Sequence, residues 1–119
     1  MIARAEQLHR QFFQPGASAV PAPNWEPPID LFESNEGLTI FAALPGVDAA
    51  DLTIALEPGL LVVAGLRRLP AMTRGVAIRR LEIPHGRFER RIPMPPGRWQ
   101  VERSVLQNGC LSLTLIGSR

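Results

Sequence analysis

The chain has 119 residues, 45% of them hydrophobic and 20% charged, with a formal net charge of +2 and one cysteine. This length and apolar content suit a single domain that buries roughly two-thirds of its unfolded surface, and one cysteine excludes an internal disulfide framework. No run of about 18 apolar residues is present to span a bilayer, and the N-terminus lacks the apolar block of a signal peptide, so the expected location is cytoplasmic and no membrane partner is expected.

In chain order, residues 2–13 (IARAEQLHRQFF) place Ile2, Ala5, Leu8 and Phe12 on one helical face, and Pro15-Gly16 ends that pattern. Proline, alanine and serine make residues 14–24 a linker. After Trp25 the pattern becomes that of strands: 29–33, 37–43 following an SNEG turn, 52–57, and 60–65 across Pro58-Gly59. A further strand is predicted over 76–83, and 87–94, 101–106 and 110–116 complete the set. In LQNGCLSLTL, residues 106–115, Asn108-Gly109 supplies the two left-handed positions of a type I′ turn, after which Leu111, Leu113 and Leu115 alternate with Ser112 and Thr114. No segment between 25 and 116 holds a helical period for longer than a turn. The fold class is therefore all-β, an antiparallel sandwich of seven or eight strands preceded by a short, partly helical arm.

Charge is distributed unevenly. Between Arg10 and Arg67 there is no basic residue, whereas Glu26, Asp30, Glu33, Glu36, Asp48, Asp51 and Glu57 all fall there. From Arg67 to Arg98, nine arginines stand against Glu82 and Glu89, a local excess of seven positive charges. Such a split fits nucleic-acid binding by the basic half, or two halves that face each other within or between chains. All 13 basic residues are arginine, which suits bidentate pairing with carboxylates, so the second reading is preferred and no nucleic-acid partner is expected.

Catalytic chemistry finds little support. No glycine-rich phosphate loop precedes a helix, and neither His9 nor His85 has a histidine or cysteine partner at metal-ligand spacing. Cys110 follows the hairpin turn as a small apolar residue, with no base or electropositive cluster to activate it. Nothing resembles a nucleophile elbow. No enzyme activity, cofactor or metal is expected, and function falls to surfaces.

The segments WEPPIDLFE (25–33), LPGV (44–47) with DLTIALE (51–57), LVVAGLR (61–67), GRFERRIPMP (86–95) and SVLQNGCL (104–111) together resemble the α-crystallin domain of the small heat-shock proteins, in their bacterial form. Gly46 and Gly109 stand where the family has turn glycines, and Ser104 stands where it usually has alanine. The resemblance implies an arm and linker over 1–24, the α-crystallin domain over 25–116 and a residual tail over 117–119. It also implies an immunoglobulin-like sandwich and an ATP-independent holdase that binds partly unfolded clients and suppresses their aggregation.

By position, a groove that receives a C-terminal Ile-x-Ile segment in this family would be lined by Ile54, Leu56, Val101 and Arg103, residues that equally suit ordinary core. Phe12 and Phe13 of the arm are candidate client contacts. In bacterial members the segment before Gly86 crosses to a partner's first strand, which would bring Arg79 and Arg80 near Asp30 and Glu33 of a second copy. Arg90 matches an arginine near the family's dimer interface. By alternation it shares a face with Phe88, Ile92 and Met94, so it needs a carboxylate partner, within or across chains. The chain stops at Ile116-Gly117-Ser118-Arg119 without the tail motif, so a dimer is expected rather than a large cage, with hetero-assembly on a longer relative as the alternative. A dedicated interaction module or oligomer-modifying subunit is the competing functional reading.

Overall fold

The computed structural model describes residues 22–118. Seven strands form: β1 (Ile29–Ser34), β2 (Gly37–Ala43), β3 (Leu52–Glu57), β4 (Leu60–Arg67), β5 (Gly86–Pro93), β6 (Arg98–Gln107) and β7 (Cys110–Ser118). Two single-turn 3-10 helices, Ala49–Asp51 and Ala71–Thr73, follow β2 and β4. A four-stranded sheet, β1-β2-β7-β6, packs on a three-stranded sheet, β3-β4-β5, and every pairing is antiparallel.

Alternation of apolar residues decides which faces meet. Leu38, Ile40 and Ala42 of β2 lie beside Leu111, Leu113 and Leu115 of β7, and this layer faces Ile54, Leu61, Val63, Phe88 and Ile92 of the smaller sheet in one dry core. Full burial of each large side chain stabilises the fold by about 1.5–3 kcal/mol. At one end of the sandwich two turns are bound together. Asn108 (φ 55°) and Gly109 (φ 72°) are both left-handed, as a type I′ turn requires, and the Gly109 carbonyl accepts from the Leu44 N–H at 2.8 Å. Leu44 is fully buried, so the LPGV turn leaving β2 is anchored both by its side chain and by the hairpin tip.

Residues 76–83, predicted as a strand, are not one: they run as an exposed, irregular connection between β4 and β5. The neighbouring edge is already taken. Arg87 C=O on β5 accepts from the N–H groups of Asn24 (2.7 Å) and Trp25 (3.3 Å), and Glu89 N–H donates to Trp25 C=O at 3.3 Å. Trp25 thereby adds a short parallel bridge at Phe88, packs its ring 5.0 Å from that of Phe88, and donates its indole N–H to Gly86 C=O. At the C-terminal end β7 continues to Ser118, two residues past the predicted strand.

Gly65 permits a close approach within this architecture. A methyl group there would overlap the Asp51 carbonyl oxygen and come within 2.8 Å of the Phe88 ring. Gly65→Ala should therefore destabilise the fold by about 1–3 kcal/mol, lowering the melting temperature by roughly 4–8 °C per kcal/mol for a domain of this size. Thermal circular dichroism measures it; an unchanged melting point would contradict the close packing of β4, β5 and the turn before β3.

Candidate interaction surfaces

Two open sheets leave two sides where strand edges approach each other. On one side β3 and β6, each at the edge of its sheet, approach each other. Ile54 belongs to the core, whereas Leu56 and Val101 are half-buried against it. Arg103 does not join them. β6 carries a β-bulge between Val101 and Arg103, so Val101 stands opposite Leu115 on the core side while Arg103 stands opposite Thr114 on the outer side. Past the bulge, Ser104 (opposite Leu113) and Leu106 (opposite Leu111) take the core-side positions. The lining implied by the resemblance does not include them; three polar residues in a row, Glu102-Arg103-Ser104, are the sequence sign that alternation breaks.

The other side carries β1, which is paired only with β2 and exposed along nearly its whole length. Asp30 lies opposite Phe41 and Glu33 opposite Leu38, so the two carboxylates point to opposite faces of β1. Phe32 and Phe41 meet edge-to-face at 5.8 Å on the outer face, both exposed. The connection before β5 is rich in uncovered apolar side chains: Met72, Val76, Ile78, Leu81 and Ile83. Arg79 and Arg80 sit among them, exposed, with Arg80 Nη1 3.0 Å from Glu82 Oε2. Phe12 and Phe13 lie outside the described residues.

Ion pairs show how the uneven charge is used inside one chain. Arg68 Nε and Nη2 donate to the two Asp51 carboxylate oxygens at 2.9 and 3.1 Å, and the guanidinium pKa is raised first by that hydrogen bond and then by the charge of Asp51. Arg90, half-buried between Phe88 and Ile92, finds its carboxylate in Glu26 of the same chain, at 3.8 Å. Arg67 donates to two carbonyls, Pro45 at 2.7 Å and Pro84 at 3.2 Å, and so clamps the LPGV turn to the end of the exposed connection. Arginines of the basic half thus reach Asp51 and Glu26 of the acidic half.

Chemistry is sparse among the described residues. No group of three or more His, Cys, Asp or Glu side chains converges to hold a metal ion. His85 is exposed, and Cys110 is half-buried with its thiol 3.8 Å from the Leu111 carbonyl. No described helix is long and apolar enough to cross a membrane.

Comparison with known proteins agrees with this architecture. The Hsp20/alpha crystallin family model matches residues 30–118. Among curated proteins, the 19.0 kDa class II heat shock protein of Oryza sativa subsp. japonica is 32% identical over 97 residues, covering 74% of this chain and 55% of that protein. The chain thus spans about half the length of this relative. Heat shock protein 16.0 from Schizosaccharomyces pombe has a similar fold (TM-score 0.71, 24% identity, 81% of this chain and 90% of that one). So does HSP18.5 from E. histolytica (TM-score 0.68, 24% identity, 79% and 89%). A third likeness is to hspA from Xanthomonas axonopodis (TM-score 0.67, 24% identity, 79% and 95%). With the family model matching from β1 through β7, the chain belongs to the Hsp20/alpha crystallin family.

Proposed function

We propose that the protein is an ATP-independent holdase that captures partly unfolded proteins on apolar surface and keeps them from aggregating. The observation that carries this reading is the number of uncovered apolar side chains: Met72, Val76, Ile78, Leu81 and Ile83 on one connection, and Leu31, Phe32 and Phe41 on β1 and β2. A folded domain gains nothing within itself from holding these residues in water, and exposed apolar surface of this extent marks a binding face. A client that transiently exposes its own apolar segments buries them there in competition with self-association, with no nucleotide turnover required.

The reading includes a homodimer. In an extended conformation residues 76–83 present Val76 and Ile78 on one face and Leu81 and Ile83 on the other, and the unpaired backbone of β1 is a template for a strand from a second copy. Asp30 and Glu33 on opposite faces of β1 complement Arg79 and Arg80, which alternate in the same way. Each such cross-strand pair is worth roughly 0.2–1 kcal/mol. Phe13 is a further client contact in this proposal, and a groove between β3 and β6 takes an apolar strand. A cytoplasmic setting, supported by the single cysteine, completes it.

Light scattering of several heat-stressed client proteins tests the activity. Suppression of aggregation across unrelated clients at near-stoichiometric ratios is expected. Protection of no client, or of one folded partner alone, would replace the holdase with a dedicated interaction module. Fluorescence anisotropy of a labelled peptide bearing Ile-x-Ile tests the groove. Leu56→Asp should weaken binding at least about tenfold, the equivalent of ~1.4 kcal/mol, while Arg103→Ala should leave it unchanged because the bulge turns that side chain away. Equal losses in both variants would contradict this lining.

A further inference from the structure

The face of the β3-β4-β5 sheet that points away from the core is also dry. Val62 retains 1% of its accessible surface and Ala55 and Ala64 retain 3% each, although all three point away from Ile54, Leu61 and Val63. Val62 has Ala55 opposite it, Ala64 two positions along and Arg91 on the other side. Two methyl groups, the partly buried Leu60 and one arginine stem do not seal a valine on an open sheet face. Further along the face, the Nε and Nη2 atoms of Arg87 are shielded from solvent, and only 10% of the Glu89 side chain is accessible. The two sheets account for all seven described strands, and none forms a third layer here.

We propose that this face is a docking surface for residues 2–12 of the same chain, held as an amphipathic helix across β3, β4 and β5. The chain enters the described region beside it: Pro23, Asn24, Trp25 and Glu26 border Glu89 and Arg91 in a cleft of about 320 Å³. Twenty-one residues precede Ala22 in the sequence, and their first part carries Ile2, Ala5, Leu8 and Phe12 on one helical face. Eleven helical residues are about 16 Å long, which fits within a sheet whose strands of six to eight residues run roughly 20–27 Å. The linker over 14–24 extends to about 36 Å, ample to reach from the β5 edge back across the sheet. The centre of the face carries small side chains, Thr53, Ala55, Val62 and Ala64, which leave room for larger ones such as Leu8 and Phe12. Arg87, Glu89 and Arg91 along β5 stand beside them, where they meet the mixed charges Arg4, Glu6 and Arg10 of the helix.

Cysteine accessibility in the full chain tests this. In a Cys110→Ser background, Ala55→Cys on the covered face and Ala43→Cys on the outer face of the larger sheet are labelled with a maleimide under native conditions, after circular dichroism confirms folding. Ala55→Cys should react at least tenfold more slowly than Ala43→Cys, independently of protein concentration, and Leu8→Glu/Phe12→Glu should raise its rate to that of the control. Equal rates with the arm intact would mean that the face is open, and slow labelling that persists in the arm variant would mean that something else covers it. Protection lost on dilution would assign the helix to a second copy. Each of these three results overturns the proposal, and Ala64→Cys reads the same face should Ala55→Cys fail to fold.

Discussion

An open sandwich must do something with its sheet edges, because each edge strand exposes backbone donors and acceptors that need partners. Here two sheets leave four edges, and the chain treats each differently. The β5 edge is capped by residues 24–25, with Trp25 packed on Phe88 as the anchor. The β6 edge is distorted by the bulge at Glu102 and lies next to β3. Among the described residues β1 and β3 are each paired on one side only, and β1 is exposed along nearly its whole length. The working surfaces of the molecule follow from that allocation.

Charge acts within the same scheme. Arg68 with Asp51 and Arg90 with Glu26 join the basic and acidic halves inside one chain, and Arg67 ties two loop carbonyls together. Each exposed pair contributes little stability alone. Arg68 with Asp51 and Arg67 with Pro45 and Pro84 tie down the two ends of the connection between β4 and β5, whose middle is exposed. Arg79 and Arg80 are not spent on these clamps and remain with that apolar segment.

Most of the fold is legible in the sequence because a half-buried strand writes its period into its side chains. Leu38, Ile40 and Ala42, or Leu111, Leu113 and Leu115, name their own face, and Asn108-Gly109 names its turn. Residues 76–83 alternate in two short runs, Val76 with Ile78 and Leu81 with Ile83, that change phase at Arg79-Arg80; a strand also requires a neighbour, and alternation says nothing of whether one is available in the same chain. The resemblance puts Arg103 on the same lining as Val101, but the one-residue bulge between them turns Arg103 to the outer face. The covered outer face had a sign that strand periodicity passes over: LLVVAGL, residues 60–66, is apolar at odd and even positions alike, as in a strand buried on both sides.

The central claim is that β1 and the 76–83 segment are complementary parts of one interface, left open by a single chain and closed by two. Hydrogen–deuterium exchange across a protein dilution series addresses it residue by residue. The account predicts that amides of 29–34 and 76–83 slow together as concentration rises, while the core amides of β2 and β7 stay protected throughout. Self-association with 76–83 still exchanging at the rate of an unstructured peptide would contradict it.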